Sequence, residues 1–298
     1  MAKIHRSDAP QYTQNKPRPA APMPEEEPHL PQETTKKPSP AKPRKKRSKS
    51  DWFYNIAMLV CLLVFLVSGG ILAKRYFDDR QVESEFSDLQ ALISTDTAAT
   101  EETGESNSAK FAALRDQNSD FIGWISIEDT NLSFPVMFAP SNKDFYLRHD
   151  FQKEYSIYGV PYLDEKTTMG ANDQSENLVI YGHNMKTGTI FGCLTGYKEA
   201  DYYTEHPEIE FDTVYGDGTY EVFAAFAIDV AADTSFPYNQ YIDMDEATYN
   251  DYVDEVIRRS DVDTGIRPSY GEQLLTLSTC EYSSENGRYV VVARRVED

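Results

Sequence analysis

Residues 273–295 decide the fold, and they read QLLTLSTCEYSSENGRYVVVARR. Residues 273–279 and 288–295 are apolar runs with many β-branched residues, and the polar segment between them contains Asn286-Gly287. The pattern predicts two strands joined by a short connection. If these strands are neighbours in a sheet, the connection returns the Arg288 guanidinium to the side of the Cys280 thiol.

Six further strand candidates precede this pair. Each is a β-branched or aromatic run bounded by turn residues, and they occupy residues 121–127, 132–136, 157–163, 177–181, 209–214 and 219–228. Eight strands in one domain predict a mostly β fold, either a closed barrel or a sandwich.

One long helix is predicted at residues 243–259, where apolar residues share one face. Asp243 and Glu246 resemble a capping box, and Arg258 and Arg259 suit the negative end of the helix dipole. We expect this helix to cover one open side of the β structure.

The N-terminal part contains an uncharged apolar run from Trp52 to Ala73. At helical rise it reaches about 33 Å, enough to cross the hydrocarbon core of a bilayer. The basic cluster at residues 44–49 precedes it, which predicts a cytoplasmic N-terminus and an extracellular C-terminal body. The leader is too long for a cleaved signal peptide, so we interpret residues 51–73 as a retained transmembrane signal-anchor.

This gives four segments. We predict a disordered, basic cytoplasmic tail at residues 1–50, the anchor at 51–73, a juxtamembrane helix and polar linker at 74–108, and an extracytoplasmic catalytic domain at 109–298. The helix is expected at 78–93 and the linker at 94–108.

The charge distribution excludes nucleic acid as the main partner. The net charge is -20, yet 12 of the 29 basic residues and only five of the 49 acidic residues lie in residues 1–50. The predicted folded body is therefore strongly acidic, whereas phosphate binding requires a basic face.

Three residues are candidates for chemistry. Cys280 follows a predicted strand, where the sheet holds a thiol that remains open to a loop. His183 follows the apolar run 177–181 and a glycine, so it can pair with a thiolate and protonate a leaving amine. Arg288 could stabilise the thiolate and a developing oxyanion.

Each candidate has a simpler alternative. Cys280 could be a buried structural cysteine, and Arg288 a surface charge at the start of a strand. The other histidines lie in the tail or in polar loops, and we expect Cys61 and Cys193 to be small apolar residues. The cysteine count does not suggest a disulfide scaffold.

Taken together, the motifs resemble a known family. YGHNM at residues 181–185, TLSTC at 276–280 and the downstream Arg288 resemble the signature of sortases, the transpeptidases that anchor surface proteins to Gram-positive cell walls. The class B group is the most similar. Residues 118–125, 134–136 and 142–147 resemble its first two strands and early helix, and the helix at 243–259 lies where class B enzymes carry an extra one.

The resemblance, which runs from about residue 80 to the C-terminus, implies an eight-stranded sortase β-barrel with N-terminal helices and a long helix between strands 6 and 7. It implies that Cys280 attacks a Thr carbonyl in the C-terminal sorting signal of an exported protein. His183 would act as acid and base, and Arg288 would hold the carbonyl or the oxyanion. Ser278 and Glu281 would line the sorting-signal groove. The acceptor would be an amine of the lipid-linked peptidoglycan precursor, and no cofactor or metal is expected.

Three alternatives stay open from the sequence. A cysteine protease would release its product to water, although papain-like enzymes have the reverse order of Cys and His. A pilin-polymerising enzyme would use a pilin lysine as the acceptor. A membrane-tethered surface-binding module would carry no chemistry, which the Cys280, His183 and Arg288 set argues against.

Overall fold

The computed structural model describes residues 49–103 and 107–296. The predicted cytoplasmic tail lies outside the described residues except for its last two positions. The chain divides between Val64 and Phe65 into two units. The second unit contains the β structure.

The first helix, α1, spans Lys49–Thr103. Within it, Trp52–Lys74 is a 23-residue segment with a mean hydropathy of 2.8, long and apolar enough to cross a membrane. The helix also continues through residues 94–103, where a linker was predicted. This stretch has no glycine or proline to interrupt a helix, which explains the difference.

Eight strands follow two short helices, α2 (Asn107–Lys110) and α3 (Ala112–Gln117). In chain order they are β1 Phe121–Ser126, β2 Ser133–Met137, β3 Tyr162–Leu163, β4 Asn177–Tyr181, β5 Glu208–Thr213, β6 Thr219–Asp229, β7 Leu274–Cys280 and β8 Gly287–Arg295. They form a closed barrel in the order β1-β2-β3-β4-β7-β8-β6-β5. The predicted eight-stranded fold is therefore confirmed.

The third strand is much shorter than predicted, with two residues in place of seven. Gly159 in the predicted run has a positive φ of 61°, which lies outside the β region. Pro161 lacks the N–H that a sheet ladder needs. Only the residues after this proline join the barrel, where Tyr162 pairs with Met137 of β2.

Shorter helical segments and one long helix complete the described fold. The helix α4 spans Ala200–Glu205 and α5 spans Glu246–Arg259, while short 3₁₀ helices occupy Phe145–Leu147, Gly192–Lys198 and Tyr238–Gln240. The cap of α5 differs from the prediction, because Asp245 rather than Asp243 accepts a hydrogen bond from the backbone N–H of Thr248 at 2.8 Å. The helix begins three residues later than expected, so Asp243 lies outside its first turn.

The core has two parts on opposite faces of the same strands. In β8, Val291 and Ala293 belong to the barrel interior, whereas Val290 and Val292 face a second cluster. Successive side chains of a strand point to opposite faces, so a strand that is buried on both reads as a continuous apolar run. The second cluster includes Tyr249, Tyr252, Val253 and Val256 of α5. The helix therefore covers one side of the barrel.

The end of α1 belongs to the barrel domain. Phe86 and Leu89 are 6% and 3% exposed and join the interior cluster. The Phe86 ring meets Phe134 of β2 edge-on, with centroids 4.8 Å apart. The folded domain therefore begins earlier than residue 109, because two apolar side chains of the predicted juxtamembrane helix complete its core.

This boundary can be tested by two matched substitutions in α1. Phe86→Ala should lower the free energy of unfolding of the barrel by about 3 kcal/mol, because it leaves a cavity beside Phe134. Phe77, which is 69% exposed, serves as the control, and Phe77→Ala should change stability by less than about 0.5 kcal/mol. Chemical denaturation of the full chain in detergent measures both. If Phe86→Ala lowered the free energy of unfolding as little as Phe77→Ala, Phe86 would contribute nothing to the barrel core.

Candidate active site

The site begins with the parallel pairing of β4 and β7. Five residue pairs connect the strands, ending with Tyr181 opposite Ser278. Beyond this pair, the N–H of Gly182 donates to the Ser278 carbonyl at 3.1 Å. The Thr279 hydroxyl donates to the Gly182 carbonyl at 2.8 Å. Because the strands are parallel, the residues that follow them emerge at the same edge of the barrel.

Cys280 is the last residue of β7, His183 lies two residues beyond the end of β4, and β8 adds Arg288 to the same edge. The strands β7 and β8 are antiparallel, and Cys280 is directly opposite Arg288 in their register. The two strands are therefore neighbours joined by a short connection, and their register sets the two residues opposite each other. The connection between β7 and β8 is tight. A side chain on Gly287 would overlap the Glu281 carbonyl oxygen, and the backbone N–H of Glu281 donates to the Gly287 carbonyl at 2.9 Å.

The three side chains line one cavity of about 530 Å³. One wall comes from the loop that follows β6, with Val230, Asp233 and Phe236 among its lining residues. The opposite wall is built by residues around the first 3₁₀ helix and β3, namely Lys143, Asp144, Leu147, Tyr162, Asp164 and Glu165. A groove of this size can hold several residues of an extended peptide.

His183 is half-buried, and its Nε2 is 2.8 Å from the carbonyl oxygen of Leu147. A carbonyl oxygen only accepts hydrogen bonds, so Nε2 carries the proton and Nδ1 is the bare nitrogen of the neutral ring. Burial lowers the pKa of His183 from its usual value, the bond to Leu147 partly opposes that shift, and the nearby Arg148 charge adds to it. The ring is therefore biased toward the neutral form, which can accept a proton.

A second set of contacts connects the two loops that carry His183 and Cys280. The Asn184 side-chain amide donates to the Cys280 carbonyl at 2.7 Å. The Tyr282 hydroxyl donates to the Asn184 carbonyl at 2.9 Å. These bonds hold the residue after His183 against the residues around Cys280.

Arg288 is half-buried, and its Nη1 donates to the Gly287 carbonyl at 2.9 Å. Among the described residues, no carboxylate forms an ion pair with it within 4.0 Å. Most of its N–H donors therefore remain available to a group bound in the cavity.

The two predicted groove residues have different positions. Ser278 lines the cavity, but it is buried, and its hydroxyl lies 2.7 Å from the Tyr238 hydroxyl. Glu281 is not among the lining residues. Its carboxylate accepts a hydrogen bond from Ser283 and forms a 2.9 Å ion pair with Lys198. The Ser283 hydrogen bond is the larger cause, and the Lys198 contact the smaller one, of a Glu281 pKa below the usual value. The Glu281 side chain is therefore engaged by Lys198 and Ser283 and does not line the cavity in this structure.

The other cysteines and histidines within residues 49–103 and 107–296 do not line the cavity. Cys193 lies in the 3₁₀ helix Gly192–Lys198, where burial raises the pKa of its thiol to about 11. Such a thiol is a poor nucleophile at neutral pH. Cys61 lies in the apolar part of α1. His149 stacks on the Phe145 ring, and His206 contacts the Glu128 carbonyl through Nδ1.

Several cavity residues were not anticipated from the sequence. The Tyr181 hydroxyl donates to Asp164 at 2.7 Å and accepts from the Asn239 amide at 2.9 Å, which connects the two walls. Asp164 directly follows β3 and Asn239 lies in the 3₁₀ helix Tyr238–Gln240, and nothing in the local sequence pattern separates them from ordinary surface residues. Tyr181 is the first residue of the YGHNM motif, and this motif was the one sequence signal that pointed to any of the three residues.

Comparison with known proteins agrees with this geometry. Residues 125–296 match the sortase domain family. Sortase B of Listeria monocytogenes is 30% identical over 240 residues, which cover 80% of this chain and 94% of that protein. Sortase B of Staphylococcus aureus is 28% identical over 250 residues, with 82% and 97% covered.

Solved structures give the same result. A Staphylococcus aureus sortase B–substrate complex superposes with a TM-score of 0.66 at 28% identity, covering 74% of this chain and 99% of that one. Clostridium perfringens sortase B superposes with a TM-score of 0.57 at 30% identity, with 62% and 99% covered. The chain therefore belongs to the sortase family of cysteine transpeptidases, and within it to the class B sortases.

Proposed function

We propose that this sortase is anchored in the cell membrane and cleaves a C-terminal sorting signal of exported proteins through a thioacyl intermediate on Cys280. It passes the acyl group to an amine of the lipid-linked peptidoglycan precursor. The observation that supports this most strongly is the placement of Cys280 opposite Arg288, beside His183, in one cavity.

The first half of the reaction forms the thioacyl bond. Nδ1 of His183 takes the proton of the Cys280 thiol, and the thiolate attacks the carbonyl carbon of a Thr in the sorting signal. The carbonyl oxygen becomes an oxyanion, which the unpaired guanidinium of Arg288 stabilises. As the oxyanion collapses, the C–N bond breaks, and His183 gives its proton to the leaving amine.

The second half reverses these roles. The acceptor amine attacks the thioacyl carbon and loses a proton to His183. The C–S bond breaks, and the Cys280 thiolate regains the proton. His183 thus moves one proton in each direction, which suits an imidazole whose pKa is kept below its usual value by burial.

The choice of acceptor separates the remaining alternatives. One of the similar solved structures is a sortase B complexed with triglycine, with a TM-score of 0.64 at 28% identity. It supports an acceptor amine at the end of a short peptide rather than a pilin lysine side chain. Water would be the acceptor of a hydrolytic protease, and a binding module would use none.

The test of this function uses the full chain in detergent, a small library of sorting peptides, and two amines. With triglycine present, we expect the amide product to form faster than the hydrolysis product. A lysine side-chain amine, presented as Nα-acetyl-lysine amide, should be a poorer acceptor. Cys280→Ala should abolish both products, whereas Cys193→Ala should keep about half of the activity or more, because only the attacking thiolate forms the intermediate.

Three outcomes would redirect the assignment. Hydrolysis that triglycine does not divert would indicate a protease, and preference for the lysine amine would indicate a polymerising enzyme. Equal losses in the two cysteine variants would mean that the thiols are misassigned.

The role of Arg288 can be separated from activation of the thiol. Arg288→Lys keeps the charge but loses the planar fork of donors. We expect kcat/KM for peptide cleavage to fall roughly 10²-fold or more, the range for losing one oxyanion donor. Iodoacetamide labelling of Cys280 should fall much less, because it depends on charge. Near-normal turnover of the Lys variant would remove Arg288 from oxyanion stabilisation.

The membrane anchor is the last part of the proposal. The apolar segment Trp52–Lys74 and the basic residues before it support a single span, with a cytoplasmic N-terminus and an extracellular catalytic domain.

Protease added to intact protoplasts should therefore degrade the 74–298 body and spare the basic tail, as measured with antibodies to each end. Lysed protoplasts, in which the tail is also digested, are the control. Recovery of a soluble body that lacks residues 52–73 would indicate a cleaved signal peptide instead.

A further inference from the structure

We propose that the 3₁₀ helix Phe145–Leu147 and Gly159 together position His183: the Leu147 carbonyl fixes the tautomer and the direction of the imidazole, and Gly159 keeps that carbonyl in place. This inference rests on the proposed function, in which His183 moves the proton.

First, the described residues provide no carboxylate partner for the His183 ring. Among the described residues, no Asp or Glu is hydrogen-bonded to its ring, and the 2.8 Å contact of Nε2 is made by the main chain of Leu147. In a Ser-His-Asp triad, a carboxylate holds the ring in one tautomer. Here a backbone carbonyl has that role, with a partial charge instead of a full one, and it binds Nε2 rather than Nδ1.

The second step is the fixed position of that carbonyl. Tyr146, the residue before Leu147, is 1% exposed. Its hydroxyl donates to Asp120 at 2.8 Å and accepts from the Asn118 amide at 2.9 Å. Its own carbonyl accepts a hydrogen bond from the N–H of Val160 at 3.0 Å. The 3₁₀ helix is therefore held in place by hydrogen bonds through both the side chain and the main chain of Tyr146.

The third step is Gly159, which lies against the same two peptide units. Its φ is 61°, and a Cβ there would overlap the Tyr146 carbonyl and lie 2.8 Å from the Leu147 carbonyl oxygen. Any side chain at this position would push the acceptor away from His183. Gly265 offers a matched comparison, since its φ is 70° and nothing lies within 4 Å of its Cβ position.

The electrostatic surroundings give the sign of the effect. The charged and titratable groups that line the cavity with His183 are Cys280, Arg288, Lys143, Asp144, Asp164, Glu165, Asp233, Tyr162, Tyr181 and Tyr238, and Arg148 acts on it from the adjoining turn. The Leu147 carbonyl favours the protonated ring, because an imidazolium N–H is a stronger donor than a neutral one. Weakening that bond should lower the pKa of His183 further and allow the other neutral tautomer.

The test compares Gly159→Ala with Gly265→Ala in the full chain in detergent. Both place a side chain at a positive φ, which is strained for any residue with a Cβ, but only the first displaces the Leu147 carbonyl. We expect kcat/KM for peptide cleavage to fall roughly 10- to 100-fold in Gly159→Ala, the range for a misplaced catalytic group. Gly265→Ala should stay within about 2-fold of the unsubstituted chain.

The second readout does not depend on turnover. The ¹⁵N shifts of the His183 ring report its tautomer and its pKa, and they are recorded in a Cys280→Ala background so that no thiol titrates with it. Gly159→Ala should lower the pKa and mix the tautomers, while Gly265→Ala should change neither. A His183 titration and tautomer in Gly159→Ala that equal those of Gly265→Ala would overturn the proposal.

A third variant keeps the test decisive if Gly159→Ala does not fold. Tyr146→Phe preserves the ring packing and removes the two hydrogen bonds of the hydroxyl, so it should shift the His183 pKa in the same direction by a smaller amount. An unchanged titration there would also reject the proposal. Failure of the proposed function looks different: the unsubstituted chain would form no amide product, whatever the variants do to the His183 spectrum.

Discussion

The parallel pairing of β4 with β7 is the constraint on which the site depends. It sets Tyr181 opposite Ser278, and the bonds from Gly182 and Thr279 extend the contact beyond the end of β4. His183 and Cys280 are separated by almost a hundred residues along the chain, yet this register brings both to one edge of the barrel. The antiparallel partner β8 then needs only a short connection to add Arg288.

The rest of the fold supports this edge. The helix α5 packs over the outer faces of β6, β7 and β8, and Arg259 at its end forms a 2.7 Å ion pair with Asp233 in the cavity wall. The same guanidinium lies over the Phe236 ring at 4.8 Å. The additional helix thus connects the packing of the barrel to two residues that line the cavity, Asp233 and Phe236.

The sequence predicted those features that side-chain patterns encode. β-Branched and aromatic runs bounded by turn residues indicated all eight strands, and the motifs indicated Cys280, His183 and Arg288, because these depend on residue identity. Main-chain features could not be predicted in this way. The Leu147 carbonyl has no sequence signature, since every residue supplies a backbone carbonyl. The short third strand followed from the φ of Gly159, and Glu281 lies off the cavity because it pairs with Lys198, which is distant in sequence. Asp245 replaced Asp243 as the cap of α5 because nearby acidic residues are equivalent in pattern.

The central claim is that acyl transfer passes through the thiol that this strand register places beside His183 and Arg288. The most direct measurement is to mix the full chain with a peptide that it cleaves, quench the reaction in acid, and digest with pepsin before mass spectrometry. We expect an acyl adduct on the peptide that contains Cys280, and this adduct should disappear when triglycine is added before the quench. An acyl group on any other residue would contradict it.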